Sequence, residues 1–283
     1  MTPTTKSKET LFTIVTPSFN QGQFIEQTIQ SVLSQEGDFS IQYIVVDGGS
    51  SDNSLEIVKK YDDLLRAGTY PIKCNSISFQ YRSKIDNGQA DALNQGFAKA
   101  EGAILAWINS DDFYEAGAFQ KIADAFRREP TADLVYGNGY TITEPTNTKV
   151  SVVPPTIDYQ RLLFHGCEIF QPSAFFTRTS FMRAGGIDDT LHYSFDYALW
   201  LSILKQGRAF HLDEYLSNFR LWPQSKTSSS FEKFIEEEKK ILRKHTAGFF
   251  GPYHFYILKR VLKKVTFYES LPKLFPSLKR TSR

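Results

Sequence analysis

Two adjacent carboxylates close an apolar run: Ala103 to Ile108 leads directly into Asn109-Ser110-Asp111-Asp112. A run so short and so sharply bounded predicts a buried strand of a parallel sheet. Ligands of open α/β sheets bind just beyond the carboxyl ends of the strands. Acids at that edge can hold a hard divalent cation that itself grips a diphosphate, because such cations take oxygen ligands. The same four residues also have the composition of a turn or helix cap. A third carboxylate, Asp196, stands at the start of an apolar helix predicted over Phe195 to Leu204. It can act there as a general base held apart from the first pair, or simply cap the helix.

Competing chemistries lack their signatures. The chain has no Gly-x-x-x-x-Gly-Lys loop and no Gly-x-Gly-x-x-Gly after a strand, which removes the main support for P-loop and dinucleotide enzymes. His165, His192, His211, His245 and His254 form no His-x-x-x-His pair, and no Gly-x-Ser-x-Gly elbow is present.

The acids need a scaffold, and the first half of the chain supplies one. Strands are predicted at Leu11–Thr16, Tyr43–Val46 and Ile77–Tyr81 and in the run before Asn109. Helices follow them, with apolar positions at Ile25, Ile29, Val32 and Leu33, then Leu55, Ile57, Val58 and Tyr61, then Ala92, Leu93, Phe97 and Ala100, and a fourth over 116–128. This βα alternation predicts a parallel sheet with right-handed crossovers. Its strands end in loops carrying Thr16, Asp47, Asp86, and Asn109 with Asp111, which converge on one edge as a nucleotide pocket. A carboxylate such as Asp47 accepts but does not donate, so it suits a ribose hydroxyl or a base imide N–H. Shorter strands at 133–143, 149–153, 171–177, 208–212 and 216–221 suggest a second half that shapes an acceptor site.

With 41% hydrophobic and 23% charged residues, the 283-residue chain has the composition of a soluble globular protein. Its charge is uneven: residues 231–283 carry a net +8 and the remainder a net −6. Cys74 and Cys167 share no metal-ligand spacing, and no signal peptide precedes Leu11. Thiols in a reducing cytoplasm are expected.

Four segments, taken in order, resemble the family-2 glycosyltransferases of the GT-A fold. They are Thr13-Ile14-Val15-Thr16-Pro17-Ser18-Phe19-Asn20, Tyr43 to Asp52, Trp107-Ile108-Asn109-Ser110-Asp111-Asp112, and Phe195-Asp196-Tyr197-Ala198-Leu199-Trp200-Leu201. Asp86 to Gly96 and Gln171-Pro172-Ser173 are similar to family segments as well. The resemblance implies an α/β protein with a Rossmann-like, mostly parallel central sheet flanked by helices. It implies inverting transfer of a sugar from a nucleotide diphosphate sugar to an acceptor hydroxyl. Thr16, Pro17, Asp47, Asp86, Asn109, Ser110 and Asp111 would bind the nucleotide. Asp111, supported by Asp112, would hold Mn²⁺ or Mg²⁺, and Asp196 would be the base. Gln171, Trp222 and Lys226 would face the acceptor or the diphosphate, with Lys226 or Arg220 either countering phosphate charge or forming structural ion pairs. Two positions depart from the family pattern: Asn109 replaces the first acid of Asp-x-Asp, and Trp222 stands where a His is frequent.

The expected organisation is a flexible N-terminus over 1–10, a catalytic domain over 11–230 and a basic helical extension over 231–283. The catalytic domain would divide into a nucleotide-binding half, 11–115, and an acceptor-binding half, 116–230. Phe255, Leu258, Val261, Leu262 and Val265 share one helical face opposite Lys259, Arg260, Lys263 and Lys264. That pattern, over 253–268, can lie on an anionic membrane or pack on the domain. Nucleic acid is not expected, because no aromatic-basic platform accompanies the charge. A lipid-linked glycan acceptor, used by a cytoplasmic protein peripheral to a membrane, suits this layout. The rivals are a sugar nucleotidyltransferase, although residues 17–23 lack the basic residue it needs, and a non-catalytic nucleotide-sugar-binding protein of the same fold.

Overall fold

In a computed structural model, residues 10–229 and 231–246 are described. The first half follows the alternation read from the sequence: β1 (Leu11–Ser18), α1 (Ile25–Leu33), β2 (Ser40–Asp47), α2 (Ser54–Arg66), β3 (Ser76–Ser83), α3 (Gln89–Phe97) and β4 (Ile104–Trp107). These strands are parallel in the order β3-β2-β1-β4. The register pairs Ser18 with Asp47, Asp47 with Ser83, and Val15 with Trp107, which brings the expected loops to one edge.

The second half holds β5 (Phe113–Tyr114), α4 (Ala118–Arg128), β6 (Leu134–Thr143), β7 (Thr148–Val152), α5 (Tyr159–His165), β8 (Ala174–Thr177), α6 (Arg178–Ala184), α7 (Phe195–Leu204), β9 (Ala209–Leu221), α8 (Lys226–Ser229) and α9 (Phe231–Thr246). It extends the sheet as β8-β6-β9-β5, with β8 antiparallel to both β4 and β6 and with β7 paired to β6.

Besides the two-residue β5, three details differ from expectation. The two strands expected at 208–212 and 216–221 are one, because β9 runs through exposed Asp213 and Glu214 and absorbs them as a register shift opposite Gly137–Gly139. Gln171–Ser173 is a 3-10 turn leading into β8 rather than part of the strand. The short helices α5 and α6 were not anticipated. Each begins at a side-chain cap: Asp158 Oδ1 accepts from Arg161 N at 2.7 Å, and Thr177 Oγ1 accepts from Ser180 N at 3.1 Å.

Alternation along β1 feeds two apolar layers. Phe12 and Ile14 face Phe39, Phe119 and Phe175 on one side of the sheet. Val15 faces Leu93, Phe97, Trp107 and Trp200 on the other. In that second layer α3 lies close on β1, since a Cβ at Gly96 would come 2.5 Å from Val15 Cγ1. Trp107 of β4 stacks on Trp200 of α7, ring centroids 5.4 Å apart and planes 14° apart.

Ile241 and Leu242 of α9 belong to the same layer, so the first helix of the 231–283 segment packs on the body. The amphipathic stretch over 253–268, and residues 1–9, lie outside the described residues. No helix among the described residues is long and apolar enough to cross a membrane.

Candidate active site

The acidic turn after β4 is a hydrogen-bonded knot rather than a pair of equivalent acids. Asp112 has no exposed surface. Its Oδ1 accepts from Arg220 N at 2.8 Å, and its Oδ2 accepts from Asn109 Nδ2 at 3.1 Å. Burial, and then the neighbouring charge of Asp111, push its carboxyl well above the usual range. Asp112 therefore braces the turn from inside. Asp111 stands at the surface of the knot, its Oδ2 accepting from Trp222 Nε1 at 2.9 Å. Burial raises its carboxyl too, with the Trp222 bond opposing. No described side chain donates to its Oδ1. Among the described residues no three His, Cys, Asp or Glu side chains converge, so a cation here would draw on Asp111 and on ligands brought by a substrate.

Asn109 explains its own departure from the acidic pattern. Its Oδ1 accepts from Gln89 Nε2 at 2.7 Å, while its Nδ2 serves Asp112 and lies 3.4 Å from Gln171 Oε1. An aspartate could not donate, and would set a second negative charge against buried Asp112. Gln171 is fixed in turn by donating to Trp107 O at 3.0 Å.

Arg220 settles as a structural clamp. Buried at 7% exposure, it donates from Nε to Asp111 O at 2.9 Å and from Nη2 to Gln27 Oε1 at 2.6 Å, and it pairs through Nη1 with Glu144. Its guanidinium also lies 4.5 Å from the Phe24 ring centre. Arg220→Ala leaves those acceptors unpaired beneath the turn. A loss of about 3 kcal/mol is expected in urea unfolding, as for other broken buried pairs.

The edge read from the sequence as a nucleotide pocket is built by β1, β2 and β3. Asp47, 1% exposed, uses its Oδ2 to accept from Gly49 N at 3.1 Å, Ser50 N at 3.0 Å and Ser83 Oγ at 2.7 Å. Much of its capacity thus goes into shaping the loop. Thr16 and Pro17 are buried within β1, and Thr16 Oγ1 lies 3.0 Å from the Tyr43 hydroxyl. Asp86 is open by comparison. Its Oδ1 accepts from Gly88 N at 2.8 Å, and its Oδ2 approaches the Gly48 backbone so closely that a Cβ there would lie 3.0 Å away. Burial is the main cause raising its carboxyl. Ser110 is buried, and its carbonyl accepts from Thr28 Oγ1 at 2.9 Å. Sequence reasoning passed over Phe19 and Ile85, which are 60% and 88% exposed on the loops beside Asp47 and Asp86. Exposed apolar side chains at a polar edge offer a flat ligand a stacking surface, and their position after strand ends was the available signal.

Asp196 lies in the first turn of α7 with Oδ1 accepting from Tyr197 N at 2.8 Å. Among the described residues no side chain donates to it. Burial lifts its carboxyl to about 6, with the charges of Glu238 and Glu237 adding to the rise. The two sides of the site are joined by Lys226, which donates to Gln89 Oε1 at 2.9 Å and to His192 O at 3.1 Å. Since Gln89 donates to Asn109, one chain of hydrogen bonds runs from the Asn109–Asp112 turn to the loop before Asp196. Gln89 was missed in the sequence because an amide at a helix start has no distinctive spacing. Burial holds the Lys226 ammonium below its usual range, a condition that an arriving anion would relieve.

With this geometry in hand, known proteins give the chain its place. The sequence pattern of glycosyl transferase family 2 matches residues 13–186, more than half of the chain. The chain belongs to that family. TuaG of Bacillus subtilis (strain 168), whose name assigns it provisionally to teichuronic acid biosynthesis, is 26% identical over 230 residues, covering 78% of this chain and 83% of TuaG. S. aureus TarS 1-349, solved with UDP-GlcNAc, aligns with TM-score 0.65 at 18% identity, over 95% of this chain and 76% of that one. The mannosyltransferase PcManGT from Pyrobaculum calidifontis, solved with GDP-Man and Mn²⁺, aligns with TM-score 0.60 at 18% identity, over 95% and 73%. Against the longer TarS chain the match spans 44% of its length. The fold is GT-A, as the ordered segments implied.

Proposed function

We propose that the chain is an inverting glycosyltransferase that moves a sugar from a nucleotide diphosphate donor to an acceptor hydroxyl. The observation that carries this reading is Asp196, whose carboxyl is lifted to about 6 with no described side chain donating to it. A base poised near neutral pH, next to a nucleotide-binding edge, suits proton removal from an alcohol.

In this mechanism Asp196 takes the acceptor proton as that oxygen attacks the anomeric carbon from the face opposite the diphosphate. The bond from the anomeric carbon to the β-phosphate oxygen breaks, and the nucleoside diphosphate leaves with the electron pair. Asp86, with the loop that Asp47 shapes, receives the nucleoside, and Phe19 gives its base an apolar face. Lys226 meets the diphosphate, and Gln171 and Trp222 shape the space between donor and acceptor.

A divalent cation fits the donor set. Asp111 offers an oxygen that no described side chain occupies, and Mg²⁺ and similar ions bind through one or two carboxylates plus substrate phosphates and water. Mn²⁺ or Mg²⁺ there would neutralise charge on the departing diphosphate. Asp112 would support Asp111 from behind.

The acceptor proposed is a glycan or lipid-linked glycan of surface polysaccharide assembly. The likeness to TuaG supports it. With such an acceptor the protein would work in the cytoplasm against an anionic membrane surface, reached through residues 253–268.

The test is a melting screen of nucleoside diphosphates, nucleoside triphosphates and nucleotide sugars, each with and without Mn²⁺. Binding to the folded state alone raises the midpoint, by an amount equivalent to about 2.7 kcal/mol at a hundredfold excess over Kd. A nucleotide sugar and its diphosphate should each raise it, and more with Mn²⁺. Preference for a triphosphate would favour the nucleotidyltransferase, and no shift with any of them would reject the reading.

A further inference from the structure

The loop that delivers Asp196 is held from outside the family-matched residues, by α9. Glu237, 8% exposed, places its carboxylate against three successive backbone N–H groups: His192 N at 2.8 Å, Tyr193 N at 2.8 Å and Ser194 N at 2.9 Å. Desolvating a carboxylate is costly unless its oxygens are hydrogen-bonded, and these charge-assisted bonds engage both of them, one at Oε1 and two at Oε2. Ser194 is also the N-cap of α7, and its side chain makes no capping bond within the helix. It reaches instead to α9, with Oγ donating to Phe234 O at 3.3 Å.

The rest of the seam agrees. The rings of Tyr193 and Phe234 meet edge to face at 5.2 Å. Lys244 pairs with Asp188 at 3.0 Å, and Tyr159 Oη lies 3.0 Å from His245 Nδ1. Ile241 and Leu242 lie in the layer that holds Leu199 and Trp200 of α7. A helix that only needed docking would be served by those apolar contacts. The buried acid does something more specific, since it fixes the backbone from which the next residues start.

We propose that Glu237 is a positioning residue for Asp196: it locks the 192–194 loop so that the base is in place only while α9 is docked. This rests on the reading of Asp196 as the base. The charged groups that act on Asp196 are Glu237 and Glu238, both from α9, and both disfavour its ionised form. Lys226 approaches the same loop at His192 O. Glu237 thus acts on the base in two ways, through its placement and through the pH at which it loses its proton. The family-matched stretch, residues 13–186, contains neither partner, so the coupling belongs to the C-terminal part of the chain.

The test compares wild type with Glu237→Gln, Glu237→Asp and Asp196→Asn, all in the full chain. Activity is read as release of nucleoside diphosphate from the nucleotide sugar that the melting screen selects. Glu237→Gln keeps the size and loses the charge. Its kcat should fall by about 10²-fold, the penalty of a misplaced catalytic group, while donor KM stays within about twofold. The acid limb of its kcat profile should move to lower pH, because one repelling charge is gone. Amide exchange over 192–197 should quicken. Glu237→Asp keeps the charge and shortens the reach, so its kcat should fall with the limb unmoved; it also serves if Glu237→Gln folds poorly. Unchanged exchange over 192–197, or unchanged kcat with an unmoved limb in Glu237→Gln, overturns the proposal. So does a parallel loss of kcat and donor binding in both variants with no movement of the limb, which would mark simple docking. Full turnover by Asp196→Asn would sink the base reading itself. A dead Asp196→Asn beside a normal Glu237→Gln would sink only the positioning role.

Discussion

Asp196→Asn is expected to lose about 10³-fold in kcat, within the range for removing a general base, while nucleotide diphosphate affinity stays at the wild-type value. The separation follows from the layout. Asp196 stands on α7, whereas the loops proposed to receive the nucleotide follow β1, β2, β3 and β4. In wild type, kcat should climb as pH rises through about 6, where Asp196 loses its proton. Stability should move the other way. The folded-state value lies above the ordinary aspartate value of about 3.9, so between the two the folded protein holds more protons than the unfolded chain. Stability is therefore lost as pH rises through that window, and the full penalty persists above it. Asp196→Asn escapes the penalty. It should melt higher than wild type at pH 8, with the gap closing toward pH 4. Paired kinetic and melting measurements across pH decide the matter. A variant with wild-type turnover, or one that melts lower at every pH, would remove Asp196 from the role of base.

The second large effect belongs to Asp111. Asp111→Asn can still accept the Trp222 bond, so the knot around Asp112 should stay folded. It loses the charge that would hold a cation at the diphosphate. Metal ions contribute several kcal/mol to such charge stabilisation, so kcat should fall by roughly 10²-fold or more. The gain in nucleoside diphosphate affinity on adding Mn²⁺ should vanish, as titration calorimetry would show. Wild-type binding that ignores Mn²⁺ would refute the role and leave Lys226 as the compensating charge.

The scaffold was legible because its signals are local. Apolar runs and helical spacing located β1 to β4 and α1 to α4, and the polar strand ends located the sheet edge proposed to carry the site. What escaped depends on partners distant in the chain. The two-residue β5 exists only because it pairs with β9. The two pieces of β9 looked separate because Asp213-Glu214 reads as a turn until β6 lies alongside. Arg220 could not be divided between phosphate contact and ion pair without Glu144, Gln27 and the Asp111 carbonyl around it. The resemblance already ranked Asp111 ahead of Asp112 as the metal acid, but only the fold shows how the two differ physically: Asp112 is fully buried, and Asp111 is partly exposed. Glu237 had no signal at all, since an acid in an amphipathic helix is ordinarily solvated.

The stacked indoles behind the site have a consequence for how the protein can be watched. The chain has three tryptophans, and they are Trp107, Trp200 and Trp222. Two are stacked between β4 and α7, and the third is hydrogen-bonded to Asp111. Trp222 emission therefore reports directly on the Asp111 carboxylate, and Trp107 and Trp200 report on the apolar layer between β4 and α7. The close-stacked pair should also give an excitonic couplet in circular dichroism, a built-in ruler between β4 and α7 that needs no label.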